Sequence, residues 1–334
     1  MKNKVDNWTP LLKSIGDKLM SGGYITFSDA LQLTQIPEES VGDLIRLADR
    51  VRRRFASEKA DLCSIVNARS GRCAEDCRFC AQSVHFDTEA PVFPMKPVKD
   101  ILRAAVMAEA AGAHRFCIVT SGDSLSERDF GTVVEAIGRI REETGLRRCA
   151  SIGRLSRERT ATLREAGLNR YHHNVETARG FFPSVCATHT YEDKLRTIRH
   201  LQEYGIEKCI GGILNLGESP RQRIQMAFEI RELQPDSVPV NFLIPWKGTP
   251  LGGRKPIAAI EAARYLAIFR LVMPRVYIRV AGGRLETFED HPTLPFDAGV
   301  NALLIGDLLT TPGPNARSDI TLLRCLGFDL DGRE

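Results

Sequence analysis

The run CSIVNARSGRCAEDCRFCAQS, residues 63–83, passes from a short apolar, β-branched segment into a loop that carries Cys73, Cys77 and Cys80. Its first six residues, CSIVNA, have the length and composition of a buried strand. Seven similar runs follow: RFCIVT (115–120), RRCASI (147–152), NRYHHNV (169–175), KCIGGIL (208–214), SVPVNFLI (237–244), VYIRVAG (276–282) and NALLIG (301–306). Helix-like segments separate most of them. Tyr191, Leu195, Ile198 and Leu201 recur at helical spacing, as do Ala262, Leu266, Phe269 and Met273, with Pro274 closing the second series. A doubly wound open sheet has the same local alternation, but eight strand–helix units over roughly 250 residues are what a (β/α)8 TIM-type barrel needs, and the barrel is the preferred fold. Residues 1–57 read as helix throughout, with Pro37 in a first turn and Val41, Leu44, Ala48, Val51 and Phe55 on one apolar stripe. They form an N-terminal helical cap on a barrel that occupies 58–334 and includes a C-terminal tail.

Composition sets the class of partner. The chain has 334 residues, 43% of them hydrophobic, enough for a large core. Its 46 basic and 42 acidic residues nearly balance, so nucleic acid is not an expected partner. No apolar run reaches membrane-spanning length, and the polar start MKNKVDNWTPLLKS carries no signal-peptide core, so a cytoplasmic protein without membrane contact is expected. Thiols stay reduced in that compartment, and nine cysteines there point to metal binding or catalysis in place of disulfides.

In a barrel the functional face lies where strands end, and the C-x3-C-x2-C triplet sits in the loop after the first strand. Three thiolates suit a soft metal. Structural zinc is one reading, with His85 available as a fourth ligand, and simple packing is another. A cubane iron–sulfur cluster is the third; held by three protein thiolates, it leaves one iron open. A second group, Cys117, Cys149 and Cys209 on the second, third and fifth strands with Arg279 on the seventh, lies inside strands. One strand cysteine is ordinarily a small buried hydrophobe, but a buried arginine needs an anionic partner.

With Phe79 just before its last cysteine, the triplet is similar to the signature of radical S-adenosylmethionine enzymes. Within that superfamily NARSGRCAEDCRFCAQS, RFCIVTSG, YHHNVET, GGILNLGE, SVPVNFL, KGTPL and IRVAGGR resemble the biotin synthase family in order and spacing, over about residues 57–330. The resemblance implies sulfur insertion into dethiobiotin to give biotin. It implies a [4Fe–4S] cluster on Cys73, Cys77, Cys80 and S-adenosylmethionine, and a [2Fe–2S] cluster on Cys117, Cys149, Cys209 and Arg279, all seven residues being catalytic. It gives Asn174, Glu176 and Lys194 to the cofactor, and His172, Asn174 and Asn241 to the substrate. Glu176 stands where many members have Asp, His172 where many have Asn, and Lys194 at a usual Arg, so a charge remains at 194 without its fork. The resemblance also implies an electron donor such as flavodoxin or ferredoxin, iron–sulfur assembly machinery and a homodimer. A hydrogenase maturase or a mutase of similar barrel is the alternative enzyme, and an iron–sulfur scaffold the non-enzyme. Cys63 reads as a first-strand core residue, Cys325 as packing a terminal helix, Cys186 as a bystander or accessory thiol, and His173 and His189 as hydrogen-bonding residues.

Overall fold

Nine parallel strands form one closed sheet in the computed structural model, which describes residues 8–56, 58–306 and 315–330. They are β1 (Asp61–Arg69), β2 (Arg115–Thr120), β3 (Arg147–Ser151), β4 (Arg170–His172), β5 (Glu207–Cys209), β6 (Gly212–Leu214), β7 (Ser237–Phe242), β8 (Tyr277–Val280) and β9 (Ala302–Leu304). Their order is β5-β4-β3-β2-β1-β9-β8-β7-β6, and a β5–β7 pairing closes the ring. β5 and β6 are two halves of one barrel position, so the expected eight positions are present, with the fifth interrupted at Ile210–Gly211. The cause is local: a Cβ at Gly211 would overlap the Pro239 carbonyl, and one at Gly212 would overlap the Met226 sulfur. Only glycine lets β7 and the helix behind approach so closely.

The expected helices form and cover the barrel. Thr190 and Ser219 each open one, Tyr191–Glu203 and Pro220–Glu232, with a capping box to Asp193 and Gln222. The helix Ala259–Val272 is buried on almost every face, because the N-terminal helices Trp8–Met20, Phe27–Leu33 and Val41–Phe55 lie outside the barrel and Val41–Phe55 packs directly on it. The stripe read from the sequence is that interface: Val41, Leu44, Ala48 and Val51 are fully buried. Pro37 is not in a first turn; it precedes a 3-10 turn, Glu38–Ser40, that leads into the long helix.

Inside the barrel, side chains two residues apart point inward and stack in layers. The lowest layer is charged. The Asp61 carboxylate accepts hydrogen bonds from Arg170 (2.7 Å) and Arg279 (2.8 Å), while Glu207 accepts from Arg170 (2.9 Å) and from Arg147. Burial alone would raise the Asp61 pKa, but the charges of Arg279, Arg170 and Arg115 hold it well below the usual carboxylate range. The Asp61 contribution to stability is therefore complete above the ordinary carboxylate pKa, near pH 4, and is lost only as pH falls below that. Asp61→Asn is expected to cost about 3–5 kcal/mol by stranding buried guanidinium groups, lowering Tm by roughly 5–10 °C; calorimetry at pH 7 checks this, and an unchanged Tm would refute it.

Candidate active site

Above the charged layer a cavity of about 380 Å³ runs up the barrel to the ends of the strands. Its lower wall is built by strand register. Cys117 pairs with Cys149 across β2 and β3, His172 with Cys209 across β4 and β5, and Pro239 with Arg279 across β7 and β8. The three thiols and Arg279 that the sequence singled out thus come from four strands to one chamber, and all line it. Cys63 joins them: it forms a buried cluster with Cys117 and Cys149 and faces the cavity, so it is not a core residue of the ordinary kind.

Electrostatics in this chamber favour anions. Arg115 and Arg279 are each 3% exposed, yet Arg115 Nε and Nη1 and Arg279 Nε have no hydrogen-bond partner. A hydrogen bond from Cys117 lowers the pKa of Cys149 against its burial, so Cys149 is the first of that pair to ionise. Burial pushes the pKa of His172 down, leaving a neutral imidazole whose Nδ1 stands 3.5 Å from Cys209 Sγ.

The upper wall carries amides and a carboxylate. Asn174 Oδ1 accepts from the Gly211 N–H (3.1 Å), and Asn174 Nδ2 donates to Glu176 (3.3 Å). Glu176 holds a left-handed backbone (φ 67°), fixed by the Ile213 N–H donating to its carbonyl at 2.7 Å. For a residue with a Cβ this is strained, and such strain concentrates at ligand-holding positions. Lys194, on the first turn of helix Tyr191–Glu203, lies 3.9 Å from the Glu176 carboxylate. Asn241 is anchored at both ends of its amide, donating to Gly212 O and accepting from Gly282 N–H, and it lines the cavity.

The cysteine loop forms the rim. Gly71 (φ 74°) and Arg72 (φ 53°) turn the chain out of β1, and the Gln82 carboxamide accepts from Ser70 Oγ and the Gly71 N–H to close the loop. Cys80 faces the cavity beside Phe79. Burial raises the pKa of Cys73 and pushes that of Cys80 up to about 11. Cys77 Sγ lies 3.7 Å from Cys186 Sγ, and Cys186 also meets Asp76 (3.1 Å) and His189 (3.2 Å). Hydrogen bonds from Cys77 and His189 bring the Cys186 pKa down to about 4.

The chain was compared with known proteins. The radical SAM superfamily model matches residues 68–230, and the biotin and thiamin synthesis associated domain matches residues 239–329. A biotin synthase of Pelotomaculum thermopropionicum is 47% identical over 92% of this chain and 95% of its own length. The chain belongs to the biotin synthase family. Another biotin synthase, from Acetivibrio thermocellus, is 45% identical over 94% of this chain and 98% of its own. Among solved structures, methylornithine synthase superposes with a TM-score of 0.84 at 20% identity, covering 94% of this chain and 96% of that one. The hydrogenase maturase HydG from Carboxydothermus hydrogenoformans gives 0.79 at 16%, covering 98% of this chain and 80% of that one. At these identities the two share the barrel fold, nothing finer.

A biotin synthase works with a [4Fe–4S] cluster, S-adenosylmethionine and a [2Fe–2S] cluster, and both thiol sets fit such groups. A single tetrahedral zinc would need its thiolates about 3.8 Å apart, whereas the only described His, Cys or carboxylate set that closes to within 4.8 Å is Cys77, Cys186 and His189. Neither the loop triplet nor the strand thiols do so, which suits ligands spread over several irons. His85, whose Nε2 meets the Ala74 carbonyl (2.9 Å), is not a member of that set, so the zinc reading lacks its fourth ligand among the described residues. The unpartnered guanidinium nitrogens of Arg115 and Arg279 provide the donors that an anionic cluster in the lower chamber would accept.

Several placements were not legible in the sequence. Arg115 and Arg170 sit two residues before Cys117 and His172, so an arginine in phase with an inward-facing strand residue was the available signal. Cys325 is exposed at the end of helix Ala316–Cys325 and packs nothing. His189 bonds as expected, to Cys186 and to Glu75 (2.5 Å), but His173 keeps a buried Nε2 without a partner.

Proposed function

We propose that this chain converts dethiobiotin to biotin, bridging two unactivated carbons with one sulfur atom. The observation that carries the reading is two thiol sets at two depths of one barrel, three cysteines on the rim loop and a ring of strand thiols beneath. When bound, the two clusters supply reductive cleavage of S-adenosylmethionine to a hydrogen-abstracting radical and the sulfur that is inserted; no side-chain base can remove hydrogen from such carbons.

The residues divide the remaining work. Cys73, Cys77 and Cys80 would hold the [4Fe–4S] cluster at the rim, and Cys117, Cys149, Cys209 and Arg279 the [2Fe–2S] cluster below. Glu176 takes the ribose hydroxyls of S-adenosylmethionine and Lys194 its carboxylate; the fixed backbone of Glu176 and the 3.9 Å approach of Lys194 support a preset cofactor seat. Asn174, bonded on one side to Gly211 and on the other to Glu176, spans cofactor and substrate. Asn241 and the neutral His172 orient the dethiobiotin, which lies between the two thiol sets. Phe79 and the strand-end apolar residues keep water from the reacting carbons.

The same reading brings an electron donor such as flavodoxin or ferredoxin, iron–sulfur assembly machinery, a homodimer and a cytoplasmic site. No helix among the described residues is long and apolar enough to cross a membrane. It also divides the chain into a helical extension, 1–57, and a barrel with its tail, 58–334. Anaerobic protein loaded with both clusters, given dethiobiotin, S-adenosylmethionine and reductant, is expected to release biotin with two 5′-deoxyadenosines for each. Steady 5′-deoxyadenosine without biotin would instead favour maturase-like or mutase-like chemistry.

A further inference from the structure

One group of ligand-type side chains takes no part in the proposed reaction. Cys186 and His189 stand on the loop between β4 and helix Tyr191–Glu203, against the rim loop that carries Glu75, Asp76 and Cys77. The Sγ atoms of Cys77 and Cys186 and the Nδ1 of His189 lie within 4.8 Å of one another, the only such set among the described residues. Cys186 Sγ is 3.7 Å from Cys77 Sγ and 3.2 Å from His189 Nδ1. These are close to the edges of a tetrahedron around one ion: bonds of about 2.3 Å to sulfur and about 2.0 Å to nitrogen put two thiolates about 3.8 Å apart, and a thiolate and an imidazole nitrogen about 3.5 Å apart.

A fourth donor is beside them. Glu75 Oε2 meets His189 Nδ1 at 2.5 Å. His189 is 7% exposed and its Nε2 has no hydrogen-bond partner, so the ring's polar engagement is through Nδ1, into the set. The two loops are pinned by other bonds. Arg78 N–H donates to the Val185 carbonyl (3.0 Å) and Asp76 N–H to Thr188 Oγ1 (3.2 Å), while Asp76 Oδ1 accepts from the Ala187 and Thr188 N–H groups (2.9 and 3.2 Å). Asp76 thereby orients the Cys186 loop and leaves Glu75 to supply the oxygen. Donors held in place this way need little rearrangement to take an ion.

We propose that Cys77, Cys186, His189 and Glu75 form a single-ion site for a divalent, borderline-soft metal of the zinc(II) class when the rim cluster is absent. Such thiolate and imidazole donors rank zinc above ferrous iron. On binding, the two S–H protons leave to solvent, two S–metal bonds form and no electron moves. That Cys77 also serves the [4Fe–4S] cluster rests on the reading above, and on that reading the two metal centres alternate at one thiol. A zinc ion withholds Cys77, and cluster loading releases the ion.

The test titrates the anaerobic, thiol-reduced full-length chain, free of clusters, with cobalt(II) as the probe ion. The parent is expected to bind a single cobalt with the ligand-field bands of a tetrahedral site and a thiolate charge-transfer band, and stoichiometric zinc(II) should bleach both. Cys186→Ala and Cys186→Ser should cut the charge-transfer band to about half. His189→Gln should weaken binding by about tenfold or more. Cys80→Ala and Cys149→Ala should leave the cobalt spectrum unchanged. Zinc bound beforehand should slow the appearance of the rim cluster's visible absorption in the parent but not in Cys186→Ser. No tetrahedral cobalt in the parent, or bands that survive in both Cys186 variants and vanish in Cys80→Ala or Cys149→Ala, would overturn the site. Parent protein already carrying its [4Fe–4S] cluster should show no cobalt bands. Full bands there would leave the site standing, remove Cys77 from the cluster and overturn the alternation.

Discussion

Cys77→Ala protein is expected to produce 5′-deoxyadenosine only at background while its strand thiols still hold their own cluster. The triplet would supply thiolates to three of the cluster's four irons, so removal of any one would leave two irons without a thiolate. Cys186 introduces a specific complication, because its sulfur stands 3.7 Å from that of Cys77 and is readily ionised. The experiment therefore runs Cys77→Ala beside Cys77→Ala/Cys186→Ala. It also includes Cys73→Ala and Cys80→Ala. Product at the parent rate from the double variant, or from Cys80→Ala, would remove the triplet from the role proposed for it.

The second large effect concerns the inserted atom. Protein reconstituted with ³⁴S-sulfide is expected to pass label into the biotin of its first turnover, with visible absorption falling in step. Cys149→Ala and Cys209→Ala should abolish biotin yet leave uncoupled S-adenosylmethionine cleavage measurable, since the rim cysteines are untouched and lie on a separate loop. Cys149 is in register with Cys117, and Cys209 with His172, so both thiols stand on the chamber wall and not on the rim. Unlabelled first-turnover biotin, or full biotin yield from Cys149→Ala, would exclude the strand thiols as holders of the sulfur source.

The barrel could be read from sequence because strand-like and helix-like segments alternate along the chain, and all eight strand runs are in place. What the runs could not convey was phase. β1 carries apolar residues on both faces, as parallel strands do, so alternation alone does not tell which of Cys63 and Ser64 faces the cavity. Cys63 was read as core on that account. KCIGGIL was read as one strand because nothing local shows how closely Pro239 and Met226 press on its two glycines. Charged floor residues were lost differently: Arg115, Arg170 and Asp61 belong to strands far apart in sequence, and their ion pairs exist only once the ring closes. The meeting of Cys77 with Cys186 spans 109 residues and two loops, beyond any spacing rule. The resemblance to a family implies the chemistry of Cys117, Cys149 and Cys209, and register brings them to one chamber.

The charged floor has a kinetic consequence. Arg115 and Arg170 line both the upper cavity and a second cavity beneath the barrel, forming the partition between them. Tied to Asp61 and Glu207, that partition closes the tube at its lower end. A tube closed at the bottom is filled in sequence: the molecule that rests deeper has to arrive first, and the one seated at the mouth then stoppers it. On the proposed placement, dethiobiotin is expected to bind before S-adenosylmethionine and biotin to leave after the nucleoside. That placement would set a queue, with the thioether ring last out.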